Sequence, residues 1–353
     1  MKSIKTPFLC ILFLAVFSCK KEKTDTDNLF KFRDFISYTT SGTVSVTKPV
    51  QISLSKDVSQ WNIGEEIPLN LVSIKPTVSG KLILKNKHTL HFIPSEYLDS
   101  NTEYTVSVKL SDLFKNIASE FKTYTFQFKT IKPNFNIVTN NLQSYSKELQ
   151  YIEGRLKSSD IISISHAKKL ISASQKGHKL SIQWNESYAN ARSFDFKIDS
   201  IKRFIEDNEI RVTWNGKAIN SDNKGEEIIK IPGKNNFVIT KLDVVHSPAQ
   251  YLSINFSDPL KKQQNFDGLV SIQGVKNPKF IVDGNVLKVY PNTKLIGTIV
   301  IDVFQGIKND DNYKLKKPFS ETITFQEQKP QIRLIGNGTI LPNSSQLKFN
   351  FEA

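Results

Sequence analysis

The chain has 353 residues, of which 39% are hydrophobic and 23% are charged. This composition excludes an intrinsically disordered chain and provides enough apolar side chains for the cores of two to four domains. The formal net charge is +14, but the cationic residues are mostly lysines that alternate with apolar residues along predicted strands. Such alternation is typical of the solvent-facing side of a sheet, so nucleic acid is not expected as a partner.

The amino terminus combines a basic start with a short apolar run. Lys2 and Lys5 precede the apolar residues 8–17, a run that is too short to span a bilayer as a mature helix. It ends in Val-Phe-Ser-Cys, which places a small residue directly before Cys19. This pattern resembles a bacterial lipoprotein signal. We therefore expect a signal peptide in residues 1–19, lipidation of Cys19, and a lipid anchor in the bacterial cell envelope, on the periplasmic or outer-membrane side. An ordinary secretory signal and an uncleaved anchor are the alternatives.

Cysteine usage is consistent with that interpretation. Cys10 and Cys19 are the only two cysteines of the chain. Cys10 lies within the predicted signal peptide and would be removed with it, which leaves a single acylated thiol. The mature chain is therefore expected to form no internal disulfide, although it leaves the cytoplasm. Its domains must be held together by their hydrophobic cores.

The pattern of short alternating runs and turn residues predicts a mainly β fold. We expect tandem Ig-like antiparallel β-sandwich domains, with one short helix in the second domain. The predicted segments are the signal peptide ending at the lipidated cysteine (1–19), a tether (20–40), an Ig-like β-sandwich (41–132, the first domain), a β-rich domain with one helix (133–236, the second domain), another Ig-like β-sandwich (237–329, the third domain) and the start of a further domain (330–353).

An internal repeat relates the first and third domains. Residues 90–109 are predicted to form two strands and a turn, because apolar and polar residues alternate and Pro, Ser, Asp and Asn separate the two runs. The spacing of its leucines and proline recurs in residues 287–295, and residues 50–55 recur as residues 252–257. Two matches in the same order predict that the third domain is a copy of the first. Chance similarity between amphipathic strands is the alternative.

The second domain contains the one helix that the sequence predicts, residues 165–174. Ser165 can cap its first turn, apolar residues line one of its faces, and Gly177 follows its end. Further along the domain, Asn215-Gly216 predicts a tight turn between strands.

The carboxyl-terminal stretch contains two alternating runs separated by Gly336, Gly338 and Pro342. Two strands alone are marginally stable. We therefore expect either a truncated chain that ends at the start of a further domain, which we favour, or two strands that complete the third domain.

The sequence offers few arrangements for chemistry. The five histidines are dispersed, and the spacing of His88 and His91 points them to opposite faces of a strand. The chain contains no HExxH, CxxC, Gly-rich phosphate loop or GxSxG. We therefore expect no catalytic residue, no metal ligand, no bound cofactor and no enzymatic activity.

Acidic pairs and tryptophans also receive structural interpretations. Glu65-Glu66 and Glu226-Glu227 are expected in solvated turns, and the two carboxylates of Asp310-Asp311 are too few for a calcium site. The tryptophans could stack on a sugar, but each borders a predicted strand. We therefore expect all three to pack into cores: Trp61, Trp184 and Trp214.

Four segments of the second domain resemble a known family. Residues 177–184, 194–203, 212–217 and 228–232 are similar to the amino-terminal region of bacterial alpha-2-macroglobulins, especially the large lipoproteins of the Bacteroidetes. The first and third domains look like bacterial Ig-like modules of the same region. Residues 333–342 look like the entry to a further macroglobulin-like domain. The resemblance covers nearly the whole mature chain, and its motifs identify relatives rather than a catalytic mechanism.

The resemblance implies an envelope-anchored protease trap. In this family, cleavage of a bait segment triggers a conformational collapse, and many members capture the protease through a Cys–Gln thioester. This chain departs from the pattern because it has no cysteine after Cys19, so no thioester can form within it. The resemblance therefore implies the membrane-anchored stalk region of such an inhibitor, without the bait and thioester parts. Proteases would be partners of the full-length protein.

A function of a different class stays open at this point. The chain could be a stand-alone surface lipoprotein whose Ig-like modules bind a glycan or a protein. A chain that continues beyond Ala353 into macroglobulin domains would favour the stalk, whereas a self-sufficient third domain would favour the binding protein. An enzyme is the third class, and no set of residues in the sequence supports it.

Overall fold

The computed structural model describes residues 25–247 and 249–325, together with two short strands near the carboxyl end. The described chain divides into two compact units. The first unit comprises the described residues up to 133 and also residues 159–161, and the second unit comprises all the others. The predicted signal peptide and Cys19 lie outside the described residues.

The first unit consists of one helix and nine strands in the residues that the structure describes. In chain order they are α1 (Asp25–Lys31), β1 (Ile36–Thr39), β2 (Thr43–Val44), β3 (Val50–Leu54), β4 (Glu66–Ile67), β5 (Val72–Lys75), β6 (Gly80–Asn86), β7 (Thr89–Pro94), β8 (Glu103–Lys109) and β9 (Thr123–Thr130). The strands form two sheets, with the orders β1-β3-β7-β6-β4 and β2-β9-β8-β5. All pairs are antiparallel except β2 with β9.

One hydrophobic core lies between these two sheets. Strand β9 shows how the sequence builds it, because its residues alternate between exposed and buried along the whole strand. The buried set, Tyr124, Phe126 and Phe128, packs with apolar residues of both sheets in a single cluster. The predicted Ig-like β-sandwich is therefore confirmed in this unit.

Residues 25–40 differ from the prediction of a tether. They form α1 and β1, and β1 pairs with β3 at the edge of the first sheet. Phe32 is 4% exposed and Ile36 is 1% exposed, and both belong to the core of the first unit. The tether prediction is wrong for this part, because Phe32 and Ile36 are spaced so that both side chains reach the core.

Residues 159–161 belong to the first unit through the side chain of Asp160. This carboxylate is buried and accepts hydrogen bonds from the Ser45 hydroxyl at 2.6 Å and from the Val46 N–H at 2.8 Å. A buried carboxylate requires such donors, because desolvation of an unpaired charge is costly.

The second domain, in the second unit, contains nine strands and one helix in its described residues. They are β10 (Phe135–Thr139), β11 (Gln143–Ser144), β12 (Leu149–Ser163), α2 (Ile164–Leu170), β13 (Ile171–Gln175), β14 (His178–Lys179), β15 (Ile182–Trp184), β16 (Asn190–Lys202), β17 (Asn208–Asn215) and β18 (Lys224–Ile231). One sheet has the order β10-β12-β16-β15, with β11 beside β12, and the other has the order β14-β13-β17-β18. Their inward residues and α2 share one core.

Helix α2 starts earlier and ends earlier than predicted. Ser163, rather than Ser165, is the N-cap, and its hydroxyl accepts a hydrogen bond from the His166 N–H at 3.2 Å. The helix ends at Leu170. The residues that were predicted to form its last turn belong instead to β13, which pairs with β17. Ile171 is buried in the core as the first residue of that strand. Tertiary pairing therefore overrides the local helix propensity of this segment.

The predicted tight turn at Asn215-Gly216 is also different in the structure. Gly216–Ile219 forms a short 3-10 helix, and the Asn215 side chain caps it by accepting a hydrogen bond from the Lys217 N–H at 3.0 Å.

The third domain, also in the second unit, contains seven strands in its described residues. They are β19 (Ile239–Val245), β20 (Tyr251–Phe256), β21 (Val270–Ile272), β22 (Lys279–Asp283), β23 (Val286–Tyr290), β24 (Gly297–Val303) and β25 (Phe319–Phe325). They form the sheets β19-β20-β23-β22 and β21-β24-β25 around one core. Beyond them, β26 (Arg333–Leu334) pairs antiparallel with β27 (Phe351–Glu352). The remainder of the predicted further domain lies outside the described residues.

The predicted repeat is visible in the strand register. In the first unit Ile52 on β3 lies opposite Leu90 on β7, and in the third domain Ile254 on β20 lies opposite Leu287 on β23. These are the positions that the sequence comparison aligned. The edge strands β1 and β19 each shift register by one residue near their first residue, so the two copies also share a bulge.

Candidate functional site

The residues singled out from the sequence do not converge on one site. Cys19, the predicted lipidation site, lies outside the described residues. His88 is in the turn before β7 rather than on a strand, and its Nδ1 is 3.5 Å from an Asp57 oxygen. His91 is on β7, where burial and the charge of Lys85 lower its pKa.

Among the described residues, no three His, Cys, Asp or Glu side chains are grouped so as to hold a metal ion. None of the described helices is long and apolar enough to cross a membrane.

The acidic pairs have local partners. Glu226 and Glu227 lie in β18 and not in a turn, so that prediction is wrong. Glu226 accepts a hydrogen bond from Arg211 at 2.8 Å, and Glu227 accepts one from the Thr139 hydroxyl at 2.9 Å. Asp311 pairs with Lys147 at 3.2 Å, elsewhere in the second unit.

The tryptophans pack as the sequence predicts. Trp61 packs against the core of the first unit, and Trp184 and Trp214 pack against the core of the second domain. The ring of Trp184 lies 5.4 Å from that of Phe196, measured between centroids, and Trp184 also borders a groove on the surface.

That groove, which we call the sheet groove, lies on the outer face of the sheet β10-β12-β16-β15. It has a volume of about 700 Å³. Residues of β12 alternate between buried and exposed along the part of the strand that lines the groove, so every second side chain points outward. Its polar lining comes from four adjacent strands and the residues that follow them: Asn140, Glu153, Arg155, Lys157, Gln183, Asn185, Asp195 and Lys197.

The charges of the sheet groove are arranged in opposite pairs across neighbouring strands. Arg155 on β12 lies opposite Asp195 on β16, and its Nε and Nη2 donate to the two carboxylate oxygens at 2.5 and 3.3 Å. The hydrogen bond to Asp195 raises the pKa of the Arg155 guanidinium. In the next row, Glu153 lies opposite Lys197. Cross-strand pairs of opposite sign therefore leave little net charge on the groove floor.

Two tyrosines contact Lys197 at one edge of the sheet groove. The rings of Tyr145 and Tyr151 are tilted against each other with centroids 4.5 Å apart. The Lys197 ammonium lies 4.8 Å from the first ring and 4.2 Å from the second. A hydrogen bond to the Tyr145 hydroxyl raises the pKa of Lys197, while burial raises the pKa of Tyr151. Tyr145 is 51% exposed, so part of its side chain reaches the solvent beside the groove.

A second feature is a buried ion pair between the second and third domains, within the second unit. The side chains of Arg203 and Asp258 are 0% and 2% exposed, and Nη1 lies 2.6 Å from Oδ1. The remaining guanidinium nitrogens donate to the carbonyl oxygens of Pro232 at 3.0 Å and Gly233 at 2.6 Å. The other Asp258 oxygen accepts from the Ser257 hydroxyl at 2.6 Å. The pair is therefore fully hydrogen-bonded, as a buried charge requires.

Uncharged polar groups continue this junction. Asn285, which is 1% exposed, donates to the carbonyl oxygens of Leu142 at 3.1 Å and Phe256 at 2.8 Å. Its own oxygen accepts from the Ser144 N–H at 3.2 Å. Gln150, which is also buried, donates to the Ser257 carbonyl at 2.8 Å. These bonds and the Arg203–Asp258 pair form what we call the buried polar junction.

Asp207 borders this junction, and we expect it to make the stability of the second unit depend on pH. Its carboxylate accepts from the Gly233 N–H at 2.7 Å and from the Asn236 side chain at 3.0 Å, and these bonds lower its pKa from 3.8. A lowered folded-state pKa stabilises the fold above the ordinary value, and this contribution is lost as the pH falls through the folded-state pKa. We expect the urea midpoint of unfolding to fall less between pH 5 and pH 2.5 for Asp207→Asn than for the wild-type protein. Identical pH profiles would contradict this role.

Comparison with known families identifies part of the chain. Residues 36–130 match the family described as Bacterial Ig-like domain. This part of the first unit is therefore similar to bacterial Ig-like domains, in agreement with its two-sheet sandwich. The match begins with β1 and ends with β9. It therefore includes the edge strand β1, which lies in the segment predicted to be a tether. It covers 95 of 353 residues, and the similarity to this family applies to that part only.

Solved structures show distant similarities. The chain is 16% identical to L,D-transpeptidase 3 from Mycobacterium tuberculosis, covering 34% of this chain and 46% of that one, with a TM-score of 0.20. It is 9% identical to the mouse nectin-like molecule 4 ectodomain, covering 81% of this chain and 98% of that one, with a TM-score of 0.25. It is also 9% identical to Bacteroides ovatus SGBP-B in complex with a mixed-linkage heptasaccharide, covering 86% of this chain and 69% of that one, with a TM-score of 0.25. The chain thus spans less than half of the transpeptidase. At such TM-scores these similarities carry no functional argument. No curated protein matches this chain.

Sequence reasoning missed both the sheet groove and the buried polar junction. Arg155 and Asp195 are separated by 40 residues, and only the register of β12 with β16 brings them together. Alternating charges on β12 were a usable signal, since they mark an outward face. Arg203 carried no signal, because a basic residue next to Lys202 at the end of a strand looks like a solvent-exposed side chain.

Proposed function

We propose that this chain is the amino-terminal stalk of an envelope-anchored, alpha-2-macroglobulin-like protease trap, and that it catalyses no reaction itself. The proposal is supported by the resemblance of the second-domain segments to bacterial alpha-2-macroglobulins and by the bacterial Ig-like domain in residues 36–130. In this proposal, a lipid on Cys19 holds the chain in the cell envelope, and the β-sandwich domains carry the inhibitory parts of the full-length protein.

The observation that carries the proposal is the buried polar junction between the second and third domains. A spacer transmits position only if its domains resist bending relative to one another. Flexibly linked domains usually share small interfaces, whereas here an ion pair with 0% and 2% exposed side chains joins two cores. Hydrogen bonds and ion pairs are directional, so a junction of this kind defines one orientation of the two domains. This is the property that a stalk needs and that a string of independent modules lacks.

The anchor is tested by Cys19→Ala. We expect wild-type protein in the membrane fraction, labelled by a radioactive fatty acid, and the variant in the soluble fraction without label, because a thiol is required for acylation. Cys10→Ala, which changes the other cysteine, is the matched control and should stay membrane-bound and labelled. A Cys19→Ala variant that remains in the membrane fraction would refute the lipid anchor.

The trap is tested on the native protein isolated from membranes. After incubation with trypsin, we expect the bound protease to cleave a small peptide amide but to lose most of its activity toward a large protein substrate. The purified chain of residues 20–353 is the control and should leave trypsin active on both substrates. If the native protein also leaves both activities unchanged, it is not a protease trap, and the stalk function proposed for this chain is wrong.

A further inference from the structure

The sheet groove has the dimensions of a site for an extended ligand. Its floor follows β12 from Lys157 to Glu153, which corresponds to roughly 13 Å at about 3.3 Å per residue. Side chains from the neighbouring strands flank this line on both sides, and the volume of about 700 Å³ is in the range of small-ligand sites. A chain molecule would lie along the strand direction.

The charge of the groove argues against a polyanion. Although the whole chain has a formal charge of +14, the five ionisable groups of the lining sum to +1. They are Glu153 and Asp195 on the negative side and Arg155, Lys157 and Lys197 on the positive side. Arg155 is neutralised by Asp195 through two hydrogen bonds, and Glu153 faces Lys197 across the strands. A ligand without strong net charge therefore fits this surface better than a nucleic acid or an acidic polymer.

The polar groups of the lining are suited to hydroxyl groups. Carboxylates accept hydrogen bonds at both oxygens, and guanidinium and amide groups donate several in fixed directions. Asp195 and Arg155 remain about half exposed, with side-chain exposures of 52% and 54%, so they keep hydrogen-bonding capacity for a ligand. Gln183 and Asn140 add further donors and acceptors on either side. Adjacent hydroxyls on a ring match such closely spaced donors and acceptors.

Tyr145 and Tyr151, which contact Lys197 at one edge of the sheet groove, supply an apolar surface beside it. Their tilted rings, with centroids 4.5 Å apart, form a rigid amphipathic surface at one end of the charged rows. We infer that the sheet groove binds an extended, uncharged oligosaccharide, with one sugar face on the tyrosines and its hydroxyls on the Arg155–Asp195 and Glu153–Lys197 rows. This inference is independent of the stalk function and of the lipid anchor.

The inference is tested by titration calorimetry of the purified chain with four uncharged hexasaccharides: cellohexaose, laminarihexaose, chitohexaose and maltohexaose. We expect at least one to bind with a Kd between about 10 μM and 1 mM. Its affinity should change less than about twofold between 50 and 300 mM NaCl, because an uncharged ligand is not screened by salt. Tyr145→Ala and Asp195→Asn should each weaken binding by about tenfold or more.

Two variants serve as matched controls. Tyr97→Ala removes a tyrosine of the first unit that is 57% exposed, and Glu226→Gln neutralises the acid of an exposed Arg211–Glu226 pair on the other sheet of the second domain. Both should bind as wild type does, and circular dichroism should show that all four variants are folded. The inference is overturned if none of the four sugars binds, or if the controls weaken binding as much as the groove variants. Binding of poly-glutamate alone, with strong salt dependence, would reassign the groove to an acidic peptide and also overturn it.

Discussion

Arg203→Ala is expected to destabilise the second unit by about 3–5 kcal/mol, the largest effect of any single substitution that we propose. The guanidinium is completely buried and makes three hydrogen bonds, two of them to backbone carbonyls. Its removal leaves the Asp258 carboxylate buried with the Ser257 hydroxyl as its remaining donor among the hydrogen bonds described above. An uncompensated buried charge, rather than the lost attraction, is therefore the main cause of the loss.

The measurement is urea unfolding of the purified chain, monitored separately by tryptophan fluorescence and by circular dichroism. Arg211→Ala is the matched control, since it breaks an ion pair with side chains that are 47% and 48% exposed, and it should cost less than about 1 kcal/mol. The double variant Arg203→Met with Asp258→Leu should recover part of the loss, because no charge is then buried. Equal unfolding midpoints for Arg203→Ala and Arg211→Ala would show that the ion pair does not hold the junction together.

Gly154→Ala is expected to destabilise the second domain by about 1–3 kcal/mol, although it adds a single carbon atom. A Cβ at Gly154 would overlap Cζ of Phe196 and would lie 2.9 Å from the Val138 carbonyl oxygen. Phe196 lies opposite Gly154 on β16 and is 3% exposed, so its ring has no free space into which to move. The substitution therefore forces a buried ring or two strands to shift.

A double-mutant cycle separates this clash from a general loss of strand flexibility. Phe196→Leu shortens the side chain that the new methyl group meets, so Gly154→Ala should cost less in that background than in wild type. Phe128→Leu, in the core of the first unit, is the control and should be additive with Gly154→Ala. Additive behaviour of the Gly154–Phe196 pair would place the cause of the destabilisation elsewhere.

The Arg203→Ala prediction concerns the junction that supports the proposed stalk. The Gly154→Ala prediction concerns the sheet that carries the proposed binding groove. Gly154 lies beneath the groove, between Glu153 and Arg155, so a shift of β12 or β16 at this position would also displace these two outward side chains. We therefore expect Gly154→Ala to lower the affinity of the sheet groove for its ligand, although it changes none of the polar side chains of the lining. The same titration used for the groove variants checks this effect.

Much of the fold could be predicted because strand periodicity is a local property. Successive side chains of a strand point to opposite faces, so the alternation in residues 90–109 is sufficient to predict which side chains are buried. The repeat followed from the same property, and the Ile254–Leu287 pair lies where the alignment with the first domain placed it. The helix end was predicted less well, because residues 171–175 are strand only through their pairing with β17.

The amino-acid sequence by itself determined the mainly β class, the alternating faces of its strands and the correspondence between the first and third domains, since each depends on neighbouring residues. The tertiary structure alone decided which distant strands pair, and through them the Arg155–Asp195 row of the groove and the burial of Arg203 beside Asp258. The physical reason is that the free energy of a charged side chain depends on its surroundings in space. A lysine or arginine at the end of a strand has the same local sequence whether it faces water or a carboxylate from another domain.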